Sequence, residues 1–121
     1  MNTTMTISQL QEALRYEMET QQKTFDGFRG RFDRNPREAL SMCSLLFYAV
    51  AVLETYGNAL RWLKTMGVTC TAALYEERVK ATEEFALHPL STSATAPELL
   101  MQAGMKQAYQ DLAQQLRRVS L

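Results

Sequence analysis

Apolar residues recur at steps of three and four along the first part of the chain. This spacing places them on one face of a helix that packs lengthwise against another helix. Thr6 with Gln9 and Ser8 with Gln11 both have the spacing of a capping box, which marks a helix start. A first helix is therefore predicted over about residues 7–34. Its apolar stripe consists of Ile7, Leu10, Leu14, Met18, Phe25, Phe28 and Phe32.

The residues at 35–38, Asn-Pro-Arg-Glu, predict the joint between the first and second helices. Asparagine is a favoured N-cap, proline is accepted at the first helical position, and a glutamate three residues after the cap can bond back to it. The residue before a proline avoids the α conformation, so the first helix should end by Arg34. The second helix is predicted over about 36–66, closed by Gly67. Together the two helices should form a long hairpin.

Two shorter helices are predicted in the remainder of the chain. One covers about 71–87, capped by Thr69 or Thr71, and the other covers about 97–119. A chain of 121 residues fits one domain. The fold class predicted from these elements is all-α, an up-down four-helix bundle with residues 1–121 as a single domain.

The second predicted helix is apolar on nearly all sides, since residues 39–53 carry no charge. Such a helix is surrounded by other helices or by lipid. Its charge-free run is shorter than the roughly 20 residues that cross a bilayer, so no membrane span is predicted. Either the chain's own helices enclose this segment, or a second copy or another protein completes the shell. We favour the second alternative, because the third helix has few apolar residues, and a symmetric homodimer is its commonest form.

Arginine, phenylalanine and glycine alternate through residues 25–37, at the end of the predicted hairpin. Arginine binds phosphate in bidentate fashion and stacks on bases, so nucleic acid is one candidate partner. The phenylalanines, however, follow the core stripe, and four glutamates of the third helix could pair with the arginines within the fold or across a dimer. Three interpretations stay open: a solvated or salt-bridged tip, a protein-binding patch, and a nucleic-acid surface.

Composition narrows the function classes. The formal net charge is zero, with 46% hydrophobic and 21% charged residues. These values are typical of a globular domain and lack the basic excess of most nucleic-acid-binding proteins. The opening residues show no signal-peptide pattern, so a cytoplasmic chain with reduced Cys43 and Cys70 thiols is expected.

The candidate chemistry is sparse. Glu84 and His88 have the spacing of metal ligands on one helix face, but a zinc site needs three or four ligands and the chain has one histidine. A nucleophile and base would have to pair Cys43 or Cys70 with that histidine. We predict no catalytic, cofactor or metal site and no enzymatic activity. A small-molecule carrier is disfavoured, because the predicted interior has almost no ligating side chains.

The function predicted from the sequence is that of a non-enzymatic protein–protein interaction module, such as an adaptor, a chaperone or a regulatory subunit. It would act through the apolar hairpin and the arginine- and phenylalanine-rich tip, on a helical protein or a second copy. The alternative is a nucleic-acid-binding regulator that uses the tip arginines, for which a steep salt dependence is diagnostic. The predicted partner-binding residues are Phe28, Arg29, Arg31, Phe32 and Arg34 at the tip, with Leu45, Tyr48 and Val52 along the hairpin.

Overall fold

The computed structural model describes residues 5–66, 71–90 and 95–119, and within them the chain is helical apart from short connections and one isolated bridge between Met5 and Val119. The all-α prediction is confirmed, and the helices pack as a bundle through α1–α3, α3–α5 and α4–α5 interfaces. The predicted positions Gly67, Thr69 and Cys70 lie outside the described residues. The helices are α1 (Ile7–Arg34), α2 (Pro36–Leu40), α3 (Cys43–Met66), α4 (Ala72–Ala86) and α5 (Ala96–Arg117).

The predicted caps define the helix starts. At α1 the Thr6 side chain accepts a hydrogen bond from the Gln9 backbone N–H at 3.1 Å, and the Gln9 side chain accepts one from the Thr6 N–H at 2.9 Å. This is the first of the two capping boxes considered. At α2 the Asn35 side chain accepts from the Glu38 N–H at 3.3 Å, with proline in the first turn. Thr71 caps α4 in the same way. Side-chain oxygens thus satisfy N–H groups that the helices leave open.

The structure divides the predicted second helix into α2 and α3. At the break the Ser41 hydroxyl donates to the Glu38 carbonyl at 2.6 Å, and the Met42 N–H bonds to the Ala39 carbonyl at 2.9 Å. Both hydrogen bonds reach back three residues, whereas the backbone bonds of an α-helix reach back four. A serine hydroxyl that bonds to a nearby carbonyl competes with the regular helix pattern. A turn at residues 41–42 therefore interrupts the helix before α3 begins.

The central helix of the bundle is α3, which packs against α1 and α5, while α4 packs on α5. Full burial of a leucine or valine side chain stabilises a fold by about 1.5–3 kcal/mol, so these interfaces contain the main stabilising contacts. The least exposed larger residues are Leu10 and Leu14 of α1, Val52, Tyr56 and Leu63 of α3, Tyr75 and Val79 of α4, and Leu112 and Leu116 of α5.

A glycine allows α5 to approach α3 closely. A Cβ atom added at Gly104 would lie 3.1 Å from the carbonyl carbon and oxygen of Phe47 and 3.2 Å from the backbone nitrogen of Tyr48. Those atoms belong to the backbone and cannot rotate away. The absence of a side chain at Gly104 therefore sets the distance between these two helices.

The helices differ in length, which gives the bundle two unlike ends. At about 1.5 Å per residue, α1 is nearly twice as long as α4, with 28 residues against 15. The α4 helix meets the C-terminal half of α3, where the Tyr75 and Trp62 ring centroids are 6.3 Å apart. The other ends of α1 and α3 are joined through α2.

Candidate functional site

Residues 28–45, which lead from α1 through α2 into α3 and are here called the tip, are largely open to solvent. Every residue from 29 to 38 is exposed. Three large apolar side chains lie in the open as well: Phe32 is 45% exposed, Leu40 60% and Leu45 53%. Phe28 is half-buried and stacks on Phe32, with ring centroids 6.2 Å apart. Several large apolar side chains exposed within one short segment mark it as a candidate interaction surface.

The arginines of the tip are not neutralised by the rest of the fold. Arg31 places Nη1 3.0 Å from the Met42 Sδ, and Arg34 donates from Nε to the Gly30 carbonyl at 3.3 Å. Over residues 5–66, 71–90 and 95–119, none of Arg29, Arg31, Arg34 and Arg37 forms an ion pair. Their charges are therefore available to a partner.

Two of the α4 glutamates that the sequence offered as partners for the tip arginines form ion pairs with another arginine instead. Arg117 of α5 places Nη1 2.7 Å from Glu76 Oε2 and Nη2 2.5 Å from Glu83 Oε1. Hydrogen bonding from the Arg117 guanidinium holds the pKa of the Glu83 carboxyl below its usual value. The three side chains are about 40% exposed, so solvent screens the pairs and each contributes little to stability. Two of the four α4 glutamates are thus engaged within the fold, away from the tip.

The three residues predicted along the hairpin lie in different environments. Leu45 is exposed, Tyr48 is half-buried, and Val52 is fully buried in the core. The Tyr48 hydroxyl donates a hydrogen bond to the Asp111 carboxylate of α5. Burial, and then this hydrogen bond, raise the pKa of Tyr48. Of the three, only Leu45 belongs to the open surface of the tip.

The chain itself encloses part of the apolar segment of α3. Ala49, Ala51 and Val52 are buried against the neighbouring helices, whereas Leu45 and Val50 remain 53% and 40% exposed. The chain's own helices therefore do not enclose the segment fully, because one side is covered and another is open; that a second copy or another protein completes the shell stays a prediction. The open side begins at the tip.

Sequence reasoning missed the polar contact between α3 and α5. The Asp111 carboxylate accepts from both Tyr48 and the Gln107 side chain, the latter at 3.0 Å. Tyr48 and Asp111 are 63 positions apart, and no motif joins them. Only the packing of α5 on α3 brings them together.

A second missed feature is an apolar groove of about 380 Å³ between the end of α4 and α5. Along the sequence, Met101, Met105 and Tyr109 recur every four residues and lie on one apolar face of the last helix. The structure leaves part of this face open, and Phe85 stacks on Tyr109 with centroids 5.1 Å apart. The groove is lined mainly by Phe85, His88, Leu90, Met101, Met105 and Tyr109.

A third missed feature is a smaller pocket, of about 140 Å³, between α3, α4 and α5. It contains the side chain of Thr55, which is 2% exposed and whose Oγ1 has no hydrogen-bond partner in the described part of the chain. A buried hydroxyl without a partner is uncommon in native structures. No specific signal for this pocket is present in the sequence, because Thr55 follows the charge-free run and stands next to Glu54.

Two further features concern metal binding and a membrane span. Within the three described segments, no group of three or more His, Cys, Asp and Glu side chains could hold a metal ion. One helix there, α3, is long and apolar enough to cross a membrane by length and composition, with a mean hydropathy of 1.3 and a third of the tested window buried. The core helix of a soluble protein passes the same test, so this property is weak evidence for a span.

Comparisons with protein-family models, with curated proteins and with solved structures found no match to this chain.

Proposed function

We propose that this chain is a non-enzymatic protein–protein interaction module, of the adaptor, chaperone or regulatory-subunit kind, and that it engages its partner through the tip. The observation that carries the proposal is the joint exposure of Phe32, Leu40 and Leu45 beside four arginines without ion-pair partners in the described residues. Aromatic and arginine side chains are the residue types most enriched at energetically important positions of protein interfaces.

The charges of the tip favour a protein partner over nucleic acid. Asp33 and Glu38 accompany the four arginines, which leaves residues 28–45 with a net charge of about +2. Nucleic-acid affinity depends on many uncompensated cations, because each neutralised phosphate releases counterions. A partner surface with apolar residues and a few carboxylates fits the tip better. Such a surface would pair with arginine in bidentate geometry and cover the open phenylalanine.

The proposal includes the architecture and setting predicted from the sequence. The helices would form an up-down bundle with a long hairpin, acting in the cytoplasm as a homodimer or on a helical partner. A membrane span is not part of the proposal, because α3 packs between α1 and α5 and bonds to Asp111 through Tyr48. The exposed Glu54 near the middle of α3 also favours water over lipid around it.

Site-specific photo-crosslinking in cells that express the full chain would test the proposal. A benzophenone amino acid replaces Phe32 at the tip, and in the control it replaces Tyr16, which is 71% exposed on α1 outside the tip. We expect protein adducts from position 32 and not from position 16. The charge reversals Arg31→Glu and Arg34→Glu, added together, should abolish those adducts while circular dichroism shows an unchanged helix content. Equal adducts from both positions would contradict a specific tip surface.

The alternative, a nucleic-acid-binding regulator, is favoured by the same unpaired arginines. Fluorescence anisotropy with random-sequence single-stranded RNA and DNA, from 20 mM salt upward, tests it. Binding that weakens steeply with salt and disappears in the arginine variants would support this alternative. If the chain does not bind either nucleic acid at low salt, only the protein-contact proposal remains.

A further inference from the structure

Thr55 differs from the other helical threonines of this protein. Thr20, Thr24, Thr65 and Thr82 each donate their hydroxyl to the backbone carbonyl four residues earlier, at 2.9 to 3.3 Å. That local bond is the usual solution for a threonine inside a helix. The Thr55 Oγ1 has no partner within the described residues, although the side chain is almost completely buried. Thr55 therefore lines the pocket with a hydroxyl that is closed to solvent in this structure and has unused hydrogen-bonding capacity.

The walls of this pocket are aromatic. Trp62 of α3, Phe85 of α4 and Tyr109 of α5 line it, and the Phe85 and Tyr109 rings are nearly parallel, with an interplanar angle of 22°. The volume is about 140 Å³. An apolar cavity of about 150 Å³ accommodates a benzene ring in another protein, so one aromatic ring fits a space of this size. The pocket is thus suited to a flat, single-ring molecule.

The pocket also contains a cationic group, the guanidinium of Arg78. This group lies 5.6 Å from the centroid of the Trp62 ring. In contrast to Arg117, which binds Glu76 and Glu83, Arg78 forms no ion pair within the described segments. A guanidinium held against an aromatic face presents a planar array of N–H donors to a carboxylate. Asn58 lines the same pocket and offers a side-chain amide.

We propose that this pocket binds a small single-ring aromatic acid that carries a hydroxyl or carbonyl group opposite its carboxylate. The ring lies against Trp62 and Tyr109, the carboxylate bonds to Arg78, and the opposite polar group bonds to Thr55, whose hydroxyl turns toward the pocket about the Cα–Cβ bond. One molecule meets three separate features of the site: its aromatic side chains, a cation without an ion pair in the described residues, and a buried hydroxyl without a partner there. The site lies where α3, α4 and α5 meet, away from the tip, and the inference does not depend on the proposed function.

The experiment uses the intact chain and 4-hydroxybenzoate as the probe. Trp62 is the single tryptophan, so its fluorescence reports on the pocket directly. Benzoate lacks the group that would reach Thr55, and phenol lacks the carboxylate that would reach Arg78. Titrations monitored by fluorescence and by calorimetry should show saturable binding of 4-hydroxybenzoate, with a dissociation constant of about 1 mM or tighter for a ligand of this size.

The variants assign each contact. Thr55→Val should weaken 4-hydroxybenzoate binding about fivefold to tenfold and leave benzoate binding unchanged. Arg78→Gln should weaken both acids about tenfold and leave phenol unchanged. Lys80→Gln, on the same helix but outside the pocket, is the matched control and should change none of the three.

Two binding results and one structural result would overturn the inference. One is the absence of saturation by 4-hydroxybenzoate up to about 10 mM, which is weaker than any specific site of this size should show. The other is binding that none of the pocket variants alters, because the probe would then bind elsewhere. A crystal structure with only a water molecule on the Thr55 hydroxyl after soaking in the probe would also reject it. The tip crosslinking results are not affected by any of these outcomes.

Discussion

The Tyr48 hydroxyl donates a hydrogen bond to the Asp111 carboxylate, and this contact joins α3 to α5 just below the tip. Tyr48 was predicted from the sequence to face a partner. The structure instead places its ring half-buried, with its polar end on a carboxylate that also accepts from Gln107. The contact supports the base of the exposed tip from within the bundle. Its strength can be measured separately from any partner.

Replacing Tyr48 with phenylalanine should destabilise the fold by about 1.5–3 kcal/mol, the range for a hydrogen bond to a charged group. The ring remains, so packing is preserved. Urea unfolding followed by circular dichroism gives the free energy of unfolding. Tyr16→Phe is the control, because that side chain is 71% exposed and its hydroxyl makes no contact that the fold needs. Equal stability of the two variants would show that the Asp111 contact contributes nothing.

Stability should fall at alkaline pH. Burial raises the pKa of Tyr48 and of Tyr56 above the usual value near 10. Above that pH the unfolded chain loses these protons more readily than the folded chain does, so ionisation favours unfolding. The contribution is fully present below pH 10 and is lost progressively as pH rises above it. Urea titrations from pH 8 to 11 should show a decline that is shallower in Tyr48→Phe than in the wild type.

Gly104 and Gly27 give a matched pair of glycine substitutions. Both lie inside helices, so alanine should gain about 0.5–1 kcal/mol from backbone entropy at either position. A Cβ at Gly27 meets nothing within 4 Å, whereas one at Gly104 lies 3.1 Å from the Phe47 backbone. Gly27→Ala should therefore raise the urea midpoint. Gly104→Ala should lower stability by about 1–3 kcal/mol, because the helices must separate. A rise in midpoint for both variants would show that α3 and α5 are not closely packed there.

Thr55→Val should stabilise the free protein by about 1 kcal/mol. Threonine and valine side chains have the same shape. The variant removes a hydroxyl whose burial costs free energy that no hydrogen bond in the described residues offsets. Thr82→Val serves as the control, since the Thr82 hydroxyl bonds to the Arg78 carbonyl at 2.9 Å. Thermal unfolding monitored by calorimetry should show opposite shifts for the two variants. A loss of stability in Thr55→Val would mean that its hydroxyl has a partner in solution.

Local signals in the sequence predicted the helix starts well. At these starts a threonine or asparagine side chain accepts a hydrogen bond from the backbone N–H three residues later. Such a bond lies within one helical turn, so it depends little on the rest of the fold. The break at Ser41 was missed for a related reason. Its hydroxyl can bond to solvent or to the Glu38 carbonyl, and only the folded chain shows which bond forms.

The candidate site was predicted in part. Periodicity showed that α3 is apolar on several sides, but it could not show which stripe faces α1 and α5. Val52 consequently proved to be fully buried, while Leu45 is exposed. The pocket at Thr55 and the Tyr48–Asp111 contact both join residues from distant parts of the chain. Neither could be read from spacing, because they depend on how α5 and α4 pack around α3.

The central claim is that a protein surface lies against the tip. The most direct measurement is the composition of the adduct formed by the photo-crosslinker at position 32 in cells. We predict an adduct that resists nuclease, is digested by protease and yields peptides of one protein, either a second copy of this chain or a distinct partner. An adduct that nuclease removes, or no adduct above the position-16 control, would contradict the claim.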